Sequence, residues 1–241
     1  MAAVTETLPA LPRTFTATRD ALHALAEQVV SAARYHATGR IGLRATPHGF
    51  GTPAFGDGEV VRVDGTELVH ERAGTVRRAP ITTLADAAAF VGVPLGAPPV
   101  YTAATHADPN APLGIDQEAA AALANWCARA TDLIEAVRAE RTDQDSTAPQ
   151  LWPEHFDLGA EIGDEHAGTR ANFGASPGDD TISTPYLYVG PWDEHRRRGV
   201  FERYPFGAAA SYEELRAAPD PATAGRDFFA ACAHSLFDEP G

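Results

Sequence analysis

Three amphipathic segments, two of them followed by groups of short alternating runs, constrain the fold of this chain more than any other feature. Apolar residues recur every three or four positions in residues 18–36, 116–141 and 221–237, as in helices that bury one face. A helix with one apolar face needs a sheet or another helix to cover it. The sequence therefore predicts an α+β fold, in which a largely antiparallel sheet is covered by long helices.

Start and stop signals place the ends of these helices. Thr18 is a predicted N-cap of the first helix and Asp116 of the second, while Asp220 is followed by proline at the first helical position of the last. Gly39 is expected to end the first helix near residue 36, since glycine accepts the left-handed conformation that follows many helices.

The strand candidates are short runs bounded by glycine, proline or aspartate. Asp64-Gly65 separates two of them and is typical of a tight hairpin turn. A further edge segment is expected around Val76. The predicted strands cover residues 41–45, 60–63, 67–70, 156–162, 171–173 and 186–189.

The order of elements suggests two halves. We expect residues 1–15 to form an N-terminal lead-in and residues 16–241 a single compact α+β domain. Within it, pseudo-halves 16–92 and 115–238 are joined by the loop 93–114, which holds five prolines. Both halves run from a long helix through about three strands to a closing helix. Short strings of glycine and proline occur in both halves. Because such strings also recur by chance, it stays open whether the two halves are a true internal duplication.

The charge balance excludes several partners and mechanisms. The net charge is −14, a field that repels nucleic-acid phosphate and anionic membranes, so we expect neither as a partner. All 19 basic residues are arginine. A Schiff-base lysine and a phosphate-binding P-loop lysine are therefore excluded.

Cysteine usage and hydropathy indicate the compartment. Cys127 and Cys232 both lie in apolar helical patterns, which predicts buried, reduced thiols. The first residues lack the basic and apolar regions of a secretion signal, and every apolar run is broken before it reaches membrane-spanning length. We expect a soluble cytoplasmic protein.

Residues 151–192 concentrate the polar groups that favour a functional site. Strand alternation from 156 to 162 predicts that His155, Asp157 and Glu161 share one face, with His166 in the loop that follows. Such a set suits a divalent metal with an open position for water, and no other cofactor is evident. The spacing matches no established metal motif, so a solvated strand face is the alternative.

A small-molecule pocket is the second hypothesis for this segment. It would lie between the second-half strands and the loop 174–180, with Ser176 and Asp179 from the loop and the amphipathic aromatics Tyr188 and Trp192 lining it. The three strand-face residues are candidates for the same ligand. The alternatives are a tight turn that needs glycine and proline, and aromatic side chains that only pack on the sheet.

Three strings in the second half resemble a known family. They are WPEHFDL at 152–158, PYLYVGPW at 185–192 and YEELRAAPDP at 212–221. With these strings the chain resembles an uncharacterised family of bacterial proteins, common in actinobacteria. The resemblance covers most of residues 18–237 and supports the fold, whereas it implies no reaction and no catalytic residue.

Three functional hypotheses follow, and whether the protein is an enzyme stays open. The first is a protein that binds a small molecule in the second-half pocket. The second is a metal-dependent hydrolase that uses the His/Asp/Glu strand face. The third is a homodimeric interaction protein whose contact edge is the strand at residues 186–189.

Overall fold

The computed structural model describes residues 7–238 and confirms the α+β class. The chain divides into two compact units. Unit 1 comprises Met1–Ala10, Arg129–Pro149 and Leu158–Gly241, and unit 2 comprises Leu11–Ala128 and Gln150–Asp157. The proline-rich loop 93–114, predicted to join two halves, thus lies inside unit 2.

Unit 2 combines helices with a five-stranded antiparallel sheet in the order β1-β2-β3-β4-β5. Helix α4 (Gln117–Glu140) begins in this unit and ends in unit 1. The unit also holds α1 (Phe15–Leu25), a π-helical turn (Ala26–Val30), α2 (Ser31–Thr38), β1 (Arg44–Thr46), β2 (Gly49–Gly51), β3 (Val60–Asp64), β4 (Glu67–Arg72), β5 (Thr75–Pro80), α3 (Leu84–Val91) and β6 (Gln150–Trp152).

The first helix starts earlier than its predicted N-cap. It begins at Phe15, and Thr18 lies inside the helix with its side chain buried. The Thr18 hydroxyl accepts a hydrogen bond of 3.1 Å from the backbone N–H of Asp116, so a partner distant in sequence uses the oxygen that a cap would need. Gly39 ends the helix as predicted, with φ of 71°.

The predicted hairpin is confirmed. Strands β3 and β4 pair antiparallel with Asp64 opposite Glu67, which leaves a two-residue turn whose Gly65 has φ of 63°. Strand β5 pairs with β4 and forms one end of the strand order, as expected for the segment around Val76. That side chain is 57% exposed.

Unit 1 is built on strands in the order β10-β9-β8-β7, all antiparallel. Helix α6 packs on this sheet, where the ring of Phe229 lies 5.7 Å from that of Phe173. The elements of the unit are β7 (Asp157–Ile162, which starts in unit 2), β8 (Ala171–Ser176), β9 (Tyr186–Pro191), β10 (Ala208–Ser211), α5 (Tyr212–Ala217) and α6 (Pro221–Phe237).

Strand β9 is not the contact edge that the dimer hypothesis requires. It pairs with β8 on one side and with β10 on the other, so its backbone groups are used within unit 1. Sequence reasoning missed β10, an Ala-Ala-Ala-Ser strand with little β-propensity. The homodimer stays a prediction, but strand β9 is not available as its contact edge.

The lead-in is docked where the structure describes it. Leu8 is buried, and the carbonyl of Pro9 accepts a hydrogen bond of 2.9 Å from the Tyr212 hydroxyl. Residues 1–6 of the predicted lead-in lie outside the described residues. Within residues 7–238, no helix is both long and apolar enough to span a bilayer.

Candidate functional sites

The predicted strand face of His155, Asp157 and Glu161 forms only in part. Strand β7 begins at Asp157, and His155 lies exposed in the preceding turn. Phe156 has φ of 53°, a left-handed conformation that does not continue an extended strand. The alternation expected from residue 156 therefore starts one residue later and excludes His155.

The metal hypothesis gains no support from the described residues. Glu161 is paired with Arg170 at 3.1 Å, and His166 is exposed in the loop after β7. Within residues 7–238, no group of three or more His, Cys, Asp or Glu side chains is arranged to hold a metal ion. The described residues therefore contain no ligand cluster of the kind that the metal-dependent hydrolase hypothesis requires.

Ser176 and Asp179 organise their own loop. The buried Ser176 hydroxyl accepts a hydrogen bond of 3.0 Å from the backbone of Gly178. One carboxylate oxygen of Asp179 accepts from the N–H groups of Thr181 and Ile182 at 2.7 and 2.9 Å. These contacts are those of a structural turn, which the sequence analysis gave as the alternative to a ligand-binding loop.

Tyr188 packs on the sheet itself. Its ring lies over Gly174, where an added Cβ would come within 2.5 Å of the ring, and its hydroxyl lies over Gly159. The ring of Phe206 meets it edge-on at 6.1 Å. The glycines of β7 and β8 therefore make room for this tyrosine, as the packing alternative predicts.

Two predicted site residues, His166 and Trp192, come together at one cavity. The cavity has a volume of about 500 Å³ and lies within unit 1. Trp192 is 42% exposed, an unusual position for so large an apolar side chain. The residues that line the cavity are Glu165, His166, Ala167, Gly168, Arg170, Trp192 and Asp193.

The cavity walls are held by hydrogen bonds. The indole N–H of Trp192 donates to the Asn172 side chain at 3.0 Å, and its backbone N–H donates to the Arg170 carbonyl at 2.9 Å. The Arg170 guanidinium lies 5.4 Å from the indole centroid and also bonds Glu161. Asp164 accepts from the backbone of His166 at 2.7 Å, which closes the loop beside the cavity.

The loop predicted to line a ligand pocket does not line this cavity. The cavity lies beside residues 163–170 and the end of β9, whereas residues 174–180 are occupied by their own turn contacts. Glu165, Arg170 and Asp193 were missed. The available signal was the polar Asp-Glu-His-Ala-Gly-Thr string between two strands, because such hairpin loops frequently carry binding residues.

The sequence analysis also missed a cluster of polar side chains in unit 2. His23, Glu27 and Ser31 recur at four-residue spacing along the first helix, and the last two are fully buried. The Glu27 carboxylate accepts from the backbone N–H groups of Ala104 and Thr105, both at 2.9 Å. The sequence signal was a repeat of polar residues at helical spacing next to the apolar face. Such a repeat is informative because charged residues are rarely buried in a core.

His23 has a constrained environment. Its ring stacks on Phe156 with centroids 5.1 Å apart, and Nε2 lies 2.9 Å from the Pro153 carbonyl. A carbonyl only accepts, so Nε2 carries the proton and Nδ1 holds the lone pair. Burial lowers the pKa of His23, and the nearby Glu27 charge opposes that shift. The neutral imidazole is therefore favoured.

We expect this histidine to make the protein less stable in mild acid. Its pKa in the folded state lies below the ordinary value of 6.5, so the unfolded chain binds the proton more readily. The stability that the neutral ring contributes is present above pH 6.5 and is lost as the pH falls below it. Denaturant titrations of wild type and His23→Gln between neutral and mildly acidic pH test this. A slope unchanged by the substitution would contradict the assignment.

Comparisons with known proteins identify no relative. No family model, no curated protein and no solved structure matches the chain. The resemblance to the uncharacterised bacterial family therefore stays a prediction.

Proposed function

We propose that this protein binds a small polar molecule in the unit 1 cavity beside Trp192. The observation that carries the proposal is the exposed indole at the wall of a cavity of about 500 Å³. That volume falls within the range of about 300–1,000 Å³ typical of small-molecule sites. An aromatic face beside convergent polar groups provides both contact area and orientation.

The charges around the cavity favour a ligand with mixed polarity. Glu165 and Asp193 contribute carboxylates, and Arg170 contributes a guanidinium already paired with Glu161. His166 adds a group that donates or accepts. A molecule with a flat apolar part and polar substituents matches this lining best.

A cytoplasmic location is part of the proposal. Its support is the chemistry of the thiols: Cys127 and Cys232 are both buried and not joined in a disulfide, and burial raises the pKa of each to about 12. Thiols with such pKa values are poor nucleophiles, consistent with a packing role in a reducing compartment.

Trp192→Ala should weaken binding at least about ten-fold, because an aromatic anchor in a pocket commonly contributes 1.4 kcal/mol or more. Ligands come from a metabolite library screened by thermal shift. Saturation at 100 times the Kd adds about 2.7 kcal/mol to stability. Isothermal titration of each hit then compares wild type with the variant.

Trp152→Ala is the matched control, since this half-buried tryptophan lies in unit 2. It should leave the Kd unchanged. A library without a single stabilising compound would count against the proposal, and so would hits that bind both variants equally.

A further inference from the structure

We propose that His70 is the centre of an acid-sensitive latch in unit 2, formed with Glu59, Arg77 and Phe90. The neutral imidazole holds the Arg77 guanidinium of strand β5 against the C-terminal end of helix α3, and a proton taken up at Nδ1 of the ring releases that contact. The latch is independent of the unit 1 cavity and of the function proposed there.

The two ring nitrogens of His70 bond different partners. The residue is buried in β4, with 3% of its surface exposed. Nε2 lies 2.7 Å from a carboxylate oxygen of Glu59, and Nδ1 lies 2.7 Å from Nη2 of Arg77. A guanidinium only donates hydrogen bonds, so Nδ1 is the acceptor and Nε2 carries the proton that it donates to Glu59. The two contacts together therefore select one neutral tautomer.

The same nitrogen of Arg77 connects β5 with helix α3. Nη2 donates to the Phe90 carbonyl at 2.9 Å as well as to His70, and the guanidinium lies 4.8 Å from the centroid of the Phe90 ring. Phe90 belongs to the last turn of α3, where carbonyl groups lack partners within the helix and a positive charge is favourable. Arg77 thus caps this helix from the neighbouring strand, and His70 fixes the position of the guanidinium.

A second proton on the ring of His70 converts its acceptor into a donor. The new N–H at Nδ1 would point at an N–H of Arg77 across the present 2.7 Å, and two positive charges would then be adjacent. The guanidinium loses its acceptor and is repelled at the same time. Protonation therefore separates Arg77 from the ring and removes the support of its bond to α3.

The surroundings let this contact open while the core stays packed. Glu59 remains paired with Nε2, so the imidazolium keeps an opposite charge beside it in the protein interior. Arg77 is an exposed residue of the strand that ends the sheet order, and water hydrates its guanidinium once it leaves the ring. The proton thus acts on one side-chain contact and leaves the buried apolar packing in place.

The other groups around the ring do not replace the lost contact. Arg72, two residues further along β4 and on the same face, lies 3.6 Å from the second oxygen of Glu59. On β3 the residue opposite the ring is the apolar Val61. Helix α3 meets the ring edge-on with Phe90 at 6.4 Å, and its one ionisable residue, Asp86, is exposed and accepts from a hydroxyl outside the helix at 2.8 Å. The charges acting on the ring are therefore one carboxylate and two guanidinium groups.

The test follows the imidazole and the end of α3 in the full chain between about pH 8 and pH 5, the range in which histidine ordinarily changes charge. Nitrogen NMR of His70 should show an unprotonated Nδ1 at the upper pH and a doubly protonated ring at the lower. The amides of Gly92 and Val93 close the last turn of α3 by donating to Ala88. Their protection against hydrogen exchange should fall at least about ten-fold over this range, because a hydrogen bond from a charged donor is lost nearby.

Arg77→Gln separates the latch from a general effect of acid. The position is exposed, so the sheet should stay folded, and the protection of the two amides should be equally low at both ends of the pH range. Arg78→Gln is the matched control, since it removes an exposed guanidinium from the opposite face of the same strand. It should keep the wild-type response. His23→Gln, which removes a half-buried histidine of unit 2, should keep that response as well.

Four results would overturn the latch. The first is a proton on Nδ1 of His70 at the upper pH, and the second is a ring that stays singly protonated down to about pH 5. The third is unchanged protection of the two amides in the wild type. The fourth is equal behaviour of Arg77→Gln and Arg78→Gln. Failure of the Trp192 proposal would leave every one of these readouts unaffected.

Discussion

Glu27→Ala is expected to lower the free energy of unfolding of unit 2 by roughly 2–6 kcal/mol. The substitution removes the charged acceptor of two backbone N–H groups, those of Ala104 and Thr105, and a hydrogen bond to a charged group contributes about 1–3 kcal/mol. The Thr105 hydroxyl, which donates to the same carboxylate at 2.6 Å, loses its partner as well. Denaturant unfolding followed by hydrogen exchange of the residue 104 and 105 amides measures the loss.

Two further variants make this result specific. Glu27→Gln keeps one acceptor oxygen and turns an NH₂ group toward the other donor, so its cost should fall between wild type and Glu27→Ala. Asp20→Ala, on the same helix but exposed, should change stability by less than about 0.5 kcal/mol. Equal costs for Asp20→Ala and Glu27→Ala would refute the view that this carboxylate anchors the loop.

Helix ends were predictable from sequence where the determining contact is local. Asp116 accepts from Ala119 at 2.9 Å and Asp220 from Ala222 at 3.0 Å, and both precede the helices they cap. Gly39 ends its helix through its own positive φ, which requires no distant partner. Thr18 failed as a cap because its hydroxyl bonds Asp116, and no local pattern reveals a partner 98 residues away.

The loop 93–114 is a second case in which contacts between residues distant in sequence decide the structure. Five prolines in this stretch favour an extended linker, and composition alone supports that interpretation. The contacts that hold it within unit 2 run from Glu27 to residues 77 and 78 positions further along the chain. Propensity and periodicity do not report on such contacts.

The cavity lies in the segment that the sequence favours for a site, but only two of the predicted site residues line it. His166 and Trp192 do line one cavity, because the loop after β7 and the end of β9 are brought together by the antiparallel pairing of β8 with its neighbours. His155 was misplaced by the positive φ of the following residue. Tyr188 was assigned to a ligand although Gly174 leaves room for its ring. Both errors concern backbone details that alternation does not encode.

Adjacent aromatics on α6 should differ widely in their contribution to unit 1. Phe229 is fully buried against Phe173, whereas its neighbour Phe228 is half-buried. Phe229→Ala should therefore cost about 3–5 kcal/mol through lost burial and an internal cavity, and lower the midpoint of thermal unfolding accordingly. Phe228→Ala should cost less than half as much, because solvent fills the space that the ring vacates and no enclosed cavity forms. The two substitutions remove the same atoms from the same helix, so helix propensity cancels in the comparison. Equal losses for the pair would mean that packing of α6 on the sheet does not dominate the stability of unit 1.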